Sequence, residues 1–273
     1  GQTTFRLRHA YGEWGPVLAG QTHSLFMDIN VFPNTIDYWG PSGMVFLRNP
    51  QLRWTPWRGN GAYFALGLEN SNSDVDPGLV SQSDPALGAN IQGSEPYPDL
   101  TARWRTTGDW GHFQAAGILR SIAYETLDTP GNQPEGSETG WGVNLSTNIN
   151  FLERDRLIAQ VVYGEGIASY MNDGGMDMAP QNQGGDISFQ TVPLTGVVAY
   201  YDHYWNDRWS SAVGYSFTEV DNTNYQESSA FNKGEYTSLN LLHYPGDNLM
   251  FGGELLYGKR TDNDGSSGDD VRL

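Results

Sequence analysis

The stretch TGWGVNLSTNIN, residues 139–150, alternates large side chains with small polar ones at every second position. Successive side chains of a β-strand point to opposite faces, so the two sets would lie on opposite sides of a sheet. One face would carry Trp141, Val143, Leu145, Thr147 and Ile149, and the other Gly142, Asn144, Ser146 and Asn148. The stretch therefore predicts a strand with one apolar and one polar face.

The same period of two recurs along the whole chain in segments of about ten residues, and helical periodicity is nearly absent. The alternation predicts strands near 3–13, 16–26, 44–55, 61–70, 98–107, 111–123, 139–150, 156–165, 193–204, 208–219, 235–244 and 249–260. A thirteenth strand is predicted to begin at Asp269.

The connections between these strands alternate strictly between short and long. The short ones contain turn-like sequences: EWGP, TPWRGNG, TTGDWG, NFLERD, WNDR and YPGDN. The long ones are polar: 27–43, 71–97, 124–138, 166–192, 220–234 and 261–268. An up-and-down meander places short turns on one rim and long loops on the other, as in bacterial outer-membrane barrels, whereas a soluble β-sandwich has no reason to do so. The sequence predicts an all-β, antiparallel up-and-down transmembrane β-barrel.

Composition limits the class of protein. The 273 residues can bury a large core, and no run of 18 apolar residues predicts a transmembrane helix. The net charge of −17 disfavours nucleic acid as a partner, because its phosphates would be repelled. Cysteine is absent and the five histidines have no zinc-type spacing, so no cofactor is predicted.

Aromatic side chains gather where the predicted strands meet the short turns. Such residues form girdles at the interfaces of outer-membrane barrels, although Trp and Tyr are also common beside turns of soluble proteins. The residues concerned are Tyr11, Trp14, Trp54, Trp57, Trp110, Trp205 and Trp209.

Arginines fall on the polar face of the first six predicted strands. Arg6 and Arg8, for example, alternate with Phe5 and Leu7. An arginine facing lipid near the midplane costs about 2–4 kcal/mol, whereas one facing a water-filled lumen stays solvated. The alternation predicts an arginine wall on the lumen side, made of Arg6, Arg8, Arg48, Arg53, Arg103, Arg105 and Arg120.

Two interpretations of the arginine wall stay open. Guanidinium groups at a constriction would attract small anions and hold them through forked hydrogen bonds. Alternatively, the arginines pair with lumen acids and stiffen the barrel, and Glu69, Asp28 and Asp37 are close enough in sequence to be partners.

Near Arg48, Pro50 is expected to lie at a bulge that resets the alternation.

The long loops are acidic and carry few basic residues. TDNDGSSGDD, residues 261–270, could offer oxygen ligands to calcium, but it lacks the spacing of an EF-hand loop, and a solvated loop is the favoured interpretation. On the outer rim of a barrel, acidic loops could also bridge to lipopolysaccharide through divalent cations.

A family resemblance rests on two segments, GQTHSLFMDINVFPNTIDYWGPSG at residues 20–43 and FRLRHAYGEWG at residues 5–15. Together they resemble the DcaP-like family of Gram-negative outer-membrane porins. Those proteins are similar to general porins, which are 16-stranded trimers whose third external loop folds into the pore. The resemblance implies a homotrimer that takes up small anions, dicarboxylates in particular.

The resemblance also implies positions in a barrel. Bacterial single-chain barrels have an even number of strands, so thirteen strands imply a single barrel domain over 1–273 that lacks about three N-terminal strands and the end of the last one. Residues 27–43 would then form the inward-folding constriction loop opposite the arginine wall, and a transverse field would cross the gap. The loop residues implied are Asp28, Asn30, Asn34, Thr35 and Asp37.

The predicted function is a porin for passive diffusion of small hydrophilic solutes, with a preference for anions. A barrel enzyme is disfavoured, because nothing like the G-x-S-x-G nucleophile motif is present. The alternative is an acidic secreted β-sheet protein that binds glycans, whose aromatic residues would cluster on one face instead of at strand ends.

Overall fold

The computed structural model describes residues 6–37 and 39–273, most of which form antiparallel strands. The strands are β1 Ala10–Trp14, β2 Val17–His23, β3 Arg48–Gly59, β4 Ala62–Glu69, β5 Ile91–Ser94, β6 Asp99–Gly108, β7 Gly111–Thr126, β8 Gly136–Phe151, β9 Asp155–Glu165, β10 Met178–Gln183, β11 Asp186–Thr191, β12 Pro193–Asn206, β13 Trp209–Val220, β14 Phe231–Gly246, β15 Leu249–Asp262 and β16 Ser267–Arg272. Short helices lie in the connections: α1 Val80–Ser83, α2 Pro85–Asn90 and the 3-10 turns Ile29–Val31, Pro130–Asn132 and Ala168–Tyr170. No helix of the described residues is long and apolar enough to cross a membrane.

The main sheet has fourteen strands, and all of them except β5 lie on a path of thirteen in which spatial neighbours follow one another in sequence order. These are the thirteen predicted strands, so the antiparallel up-and-down order is confirmed. Strand β5 pairs with β7, and β10 and β11 form a separate ribbon. The alternation does not predict these three, because each has only four to six residues and lies inside a long polar connection. The expected additional N-terminal strands stay a prediction.

Two predicted strands begin later than expected. The strand predicted at 3–13 begins at Ala10, where pairing with β2 starts among the described residues, and residues 3–5 lie outside the described part. The strand predicted at 44–55 begins at Arg48, because Val45 forms an isolated bridge outside the sheet.

The bulge expected at Pro50 lies elsewhere on β3. Pro50 stays in register with Gln21, and the extra residue falls between Trp54 and Trp57. A bulge reverses which residues face inward, so odd-numbered side chains face inward before it and even-numbered ones after it.

Short turns and longer connections alternate along the sheet as predicted. The turns are 15–16, 60–61, 109–110, 152–154, 207–208 and 247–248. In one of them, Asn60 and Gly61 have φ angles of 52° and 74°, the left-handed conformation that a tight hairpin turn requires. The longer connections are 24–47, 70–98, 127–135, 166–192, 221–230 and 263–266. All of these leave from the opposite rim.

The two faces of the sheet carry the side chains that the alternation predicts. On β8, for example, Leu145 is exposed on the outer face and Asn144 is fully buried on the inner face. The predicted aromatic residues beside the short turns are all exposed, from 39% for Trp209 to 89% for Trp14. The outer face is therefore apolar, with aromatic side chains along its short-turn rim.

The core lies between the inner face of the sheet and the connection 24–47. Phe26 and Met27 of this connection are almost fully buried and cluster with Ile118 of β7 and Val162 of β9. The connection therefore lies against the inside of the curved sheet, where it positions the site described below.

The substitution Leu145→Arg tests the orientation of the outer face. Because an arginine facing lipid near the midplane costs about 2–4 kcal/mol, we expect the free energy of unfolding in phospholipid vesicles to fall by about this amount. Urea titration measures it, and Leu145→Met is the matched control, expected to change little. Equal free energies for the two variants would show that position 145 does not face lipid.

Candidate functional site

Residues 24–47, named the inward segment below, leave β2 and run along the inner face of the sheet. Near the start of the segment, Leu25 N donates to Glu69 Oε1 of β4 at 2.8 Å. Further along, Asp37 N donates to Glu254 Oε1 of β15 at 2.8 Å. The segment therefore follows the inner face from β4 to β15.

Side-chain amides of the inner face donate hydrogen bonds to backbone carbonyls of the inward segment. A buried carbonyl without a partner costs about 1–3 kcal/mol, so these bonds decide whether the segment can stay inside. The pairs are Asn144 Nδ2 to Phe26 O at 2.8 Å, Gln114 Nε2 to Met27 O at 3.2 Å, Asn148 Nδ2 to Asn30 O at 3.1 Å, Asn240 Nδ2 to Asn34 O at 2.8 Å and Gln160 Nε2 to Gly43 O at 2.8 Å.

Carboxylates of the inner face accept hydrogen bonds from backbone N–H groups of the same segment. Besides Glu69, Asp202 of β12 accepts from Asn34 N at 3.3 Å. The Glu254 carboxylate binds two successive amides, since Ile36 N lies 2.9 Å from its Oε2 and Asp37 N binds its Oε1. Three acids of the inner face are thus used to hold the segment.

Asp28 is the charged anchor of the inward segment. Its buried carboxylate accepts hydrogen bonds from His112 Nε2 at 2.6 Å, Arg105 Nη1 at 2.9 Å and Ser146 Oγ at 2.7 Å. Burial alone would raise the pKa of Asp28, but the bond from His112, the charge of Arg105 and the bond from Ser146 hold it well below its usual range. Asp28 therefore stays ionised.

The other predicted residues of the constriction loop also contact nearby groups. Asn30 Oδ1 accepts from Arg105 Nη2 at 2.9 Å, Asn34 Nδ2 donates to Tyr244 OH at 2.9 Å, Thr35 Oγ1 donates to Asp37 O at 3.3 Å and Asp37 Oδ2 accepts from Tyr236 OH at 3.0 Å. The expected gap between loop acids and the arginine wall is therefore not what the structure shows. Asp28 binds Arg105 directly, and Asp37 lies beside β14 and β15.

Arg53 and Arg103 lie on the inner face, and neither has a carboxylate within salt-bridge distance in the described part of the chain. Arg53 Nη2 donates to His23 O at 2.7 Å and to Gln51 Oε1 at 2.8 Å, both neutral acceptors. Arg103 Nη1 reaches Met27 O at 3.5 Å, and its buried Nε has no hydrogen-bond partner. Both guanidinium groups therefore have no ion-pair partner among the described residues.

Two cavities meet at these two arginines. The smaller, of about 280 Å³, extends towards Arg105 and the inward segment, and the larger, of about 540 Å³, extends towards Arg58 and the short turn 15–16. Both are lined by Arg53, Tyr63 and Arg103. The Tyr63 ring centroid lies 5.6 Å from the guanidinium carbon of Arg58 and 5.4 Å from that of Arg103, within cation–π range. A forked guanidinium in such a cavity can hold a carboxylate or another small anion.

Arg120 does not belong to this group, and its predicted place on the pore wall is wrong. Its side chain is fully buried and forms ion pairs with Asp99 and Asp177, each at 3.0 Å. It also donates to the carbonyls of Gly166 and Asn72. Because four acceptors surround it, the guanidinium is closed to a solute. For Arg120, the interpretation in which an arginine pairs with acids and stiffens the barrel therefore holds.

The remaining arginines occupy different positions. Arg48 lines neither cavity, but its Nε donates to Nε2 of the cavity-lining His23 at 3.1 Å. Arg6 and Arg8 are exposed and precede β1, so their place on the lumen wall stays a prediction. His9 Nδ1 lies 3.2 Å from Thr22 Oγ1 on the inner face.

The acidic connections hold no grouped metal ligands in the described ranges, since no set of three or more His, Asp or Glu residues is positioned to hold an ion. In the stretch 261–270, Asp264 accepts from Ser266 N at 2.8 Å, and Arg260 Nε donates to Asp262 at 2.7 Å. These contacts are those of a solvated loop.

The sequence matches the family described as DcaP outer membrane protein over residues 1–272. The chain belongs to this family. The crystal structure of the outer membrane channel DcaP of Acinetobacter baumannii has a similar fold, with a TM-score of 0.82 at 23% identity, covering 99% of this chain and 75% of that chain. No curated protein sequence matches the chain.

Family membership sets the location of the protein. Members are proteins of the outer membrane, and the similar fold is that of a membrane channel, so the predicted transmembrane barrel and its location are confirmed. The alternative of a secreted glycan-binding protein is excluded by the same finding.

Sequence reasoning missed three residues of the basic cavities, His23, Arg58 and Tyr63. Simple alternation from Arg53 assigns Arg58 to the outer face, but the bulge between Trp54 and Trp57 reverses the parity and turns it inward. A bulge inside an aromatic run leaves no clear signal in one sequence.

Asp28→Asn is expected to loosen the inward segment, since breaking a buried ion pair costs about 3–5 kcal/mol. The free energy of unfolding and limited proteolysis of the segment measure the effect. The folded-state pKa of Asp28 is depressed, so the advantage of the wild type is complete above the ordinary aspartate pKa of about 4 and declines as the pH falls below it. The exposed Asp247→Asn variant, on the short turn 247–248, is the control and should behave as wild type. An advantage that stayed constant down to about pH 2 would contradict this role.

Glu254→Gln is expected to free the middle of the inward segment. Glutamine offers one acceptor oxygen in place of two, so one N–H of Ile36 or Asp37 faces an amide donor and the local opening free energy falls by about 1–3 kcal/mol. Hydrogen exchange of these two amides should accelerate about tenfold. Glu235→Gln is the matched control, because Glu235 accepts from Tyr215 OH away from the segment. Similar acceleration in both variants would refute the assignment.

Proposed function

We propose that the protein is an outer-membrane porin for passive diffusion of small hydrophilic solutes, with a preference for anions such as dicarboxylates. Its family and the channel fold it resembles support the channel role. The preference for anions rests on the basic cavities beside the inward segment, where solutes would pass Arg53 and Arg103.

One observation carries this proposal: Arg53 and Arg103 line both cavities and bind only neutral acceptors within hydrogen-bond distance. The anchoring acids nearby contact other groups, since Glu69 Oε1 binds Leu25 N and Asp28 binds Arg105 and His112. Among the described residues no carboxylate lies within ion-pair distance of these two guanidinium groups, and the acids that line the cavities are Glu13 in the larger and Asp28 in the smaller. This balance supports a preference for anions over cations.

Residues 27–43 are proposed as the constriction loop of a single barrel domain. Hydrogen bonds from the inner face to the carbonyls of Phe26, Asn34 and Gly43 support this role, because a segment held there would narrow the lumen. The family resemblance supports a homotrimer as the assembly. Acidic residues in the long connections support contacts with lipopolysaccharide through divalent cations at the outer rim.

Replacing Arg53 and Arg103 by glutamine tests the proposed preference. The double variant is expected to lose most of the anion preference of the wild type, because both groups without a carboxylate partner are removed. The reversal potential across a planar bilayer in a potassium chloride gradient measures the permeability ratio of chloride to potassium.

Arg208→Gln, on the exposed short turn 207–208, is the matched control and should keep the wild-type ratio. A wild-type channel that prefers potassium would overturn the proposed selectivity. A double variant with an unchanged ratio would show that these arginines do not set it.

A further inference from the structure

His23 lies at the end of β2 and lines the smaller basic cavity together with Arg53 and Arg103. Arg48 Nε donates to His23 Nε2 at 3.1 Å, and Arg53 Nη2 donates to the carbonyl of the same residue at 2.7 Å. The ring of His9 packs edge-on against it, with the centroids 4.7 Å apart. His23 is thus a cavity-lining histidine whose ring contacts one arginine and whose carbonyl contacts another.

The bond from Arg48 defines the protonation state of His23. A guanidinium group can only donate, so Nε2 of His23 must offer a lone pair. The ring is therefore neutral and carries its proton on Nδ1. A second proton, on Nε2, would place an N–H donor of His23 directly opposite the N–H donor of Arg48.

The charges around His23 come from every element packed against it. Arg48 and Arg53 lie on β3, Arg103 on β6 and His9 before β1. On the inward segment, Asp28 also lines the cavity. Its charge is already shared by Arg105 and His112, so it does little to favour a proton on His23. In the empty cavity a proton on His23 would therefore add positive charge to three guanidinium groups.

We propose that His23 determines anion selectivity by taking up a proton from water when an anion occupies the cavity, which makes anion passage dependent on pH. The inference rests on the proposed porin function and deepens it. A small anion beside Arg53 and Arg103 offsets the repulsion that keeps the empty site neutral. The protonated ring then offers a further charged donor to the anion, and Arg48 turns away from Nε2.

Linkage gives the direction of the effect. If a bound anion increases proton uptake by His23, then a higher proton concentration must strengthen anion binding by the same factor. Because burial and the surrounding guanidinium groups disfavour a proton on His23, anion selectivity should therefore rise at the acidic end of the range in which histidines titrate, towards about pH 5.

The experiment compares chloride-to-potassium permeability ratios of wild type and His23→Gln in bilayers at about pH 8 and about pH 5. Glutamine keeps an acceptor for Arg48 but cannot take up a proton. In the wild type the ratio should rise on acidification at least about twofold more than in the variant. His23→Asn repeats the test with a different geometry should the glutamine variant fail to fold, which heat-modifiable gel mobility reveals.

Acidification also protonates surface carboxylates, so a control histidine is needed. His243→Gln serves this purpose, because His243 lies beside the short turn at Arg208, outside the basic cavities, and should keep the wild-type pH dependence. Equal pH dependence in wild type and His23→Gln, or an equal loss in His243→Gln, would overturn the inference. An anion preference that persists without pH dependence defeats only this inference, whereas potassium preference at both pH values defeats the porin proposal as well.

Discussion

The backbone of the inward segment depends on partners that the sheet itself cannot provide. In a strand ladder, neighbouring strands already use each other's N–H and C=O groups, and a segment lying on the face of that ladder finds none free. The side chains of the inner face supply the missing partners. Asparagine and glutamine amides bind the carbonyls, and Glu69, Asp202 and Glu254 bind the N–H groups. Without them the segment would leave the interior, and the basic cavities would lose one boundary.

The same requirement explains the charge distribution of the interior. In the described part of the chain, the acids that hold backbone amides or pair with Arg105 and His112 form no ion pair with Arg53 or Arg103. Arg120 shows the opposite situation, because Asp99 and Asp177 enclose it and it braces the connections instead. A chain with a large acidic excess can thus keep a locally basic site around Arg53 and Arg103, because the position and pairing of the acids decide the local field.

The strand pattern was predictable because it is local. Residues 139–150 show their two faces through a period of two, and the alternation of turn and loop lengths gives the strand order without knowledge of any long-range contact. The ion pairs on the inner face, in contrast, join residues that lie far apart in the sequence. Nothing near Arg120 in sequence distinguishes its acid partners from other acids, since Asp177 lies 57 residues away. The anchoring role of Asn144 and Asn148 is equally hidden, because a polar inward residue that binds water and one that binds backbone give the same alternation.

The bond from Ile36 to Glu254 joins residues 218 positions apart. During folding, this part of the inward segment cannot dock until the hairpin of β14 and β15 has formed, and closing so long a loop makes docking a late event. The nascent sheet must therefore assemble with its central amide and carboxylate side chains still hydrated. Water leaves these groups only when the segment arrives, so the order of assembly runs from wall to lumen.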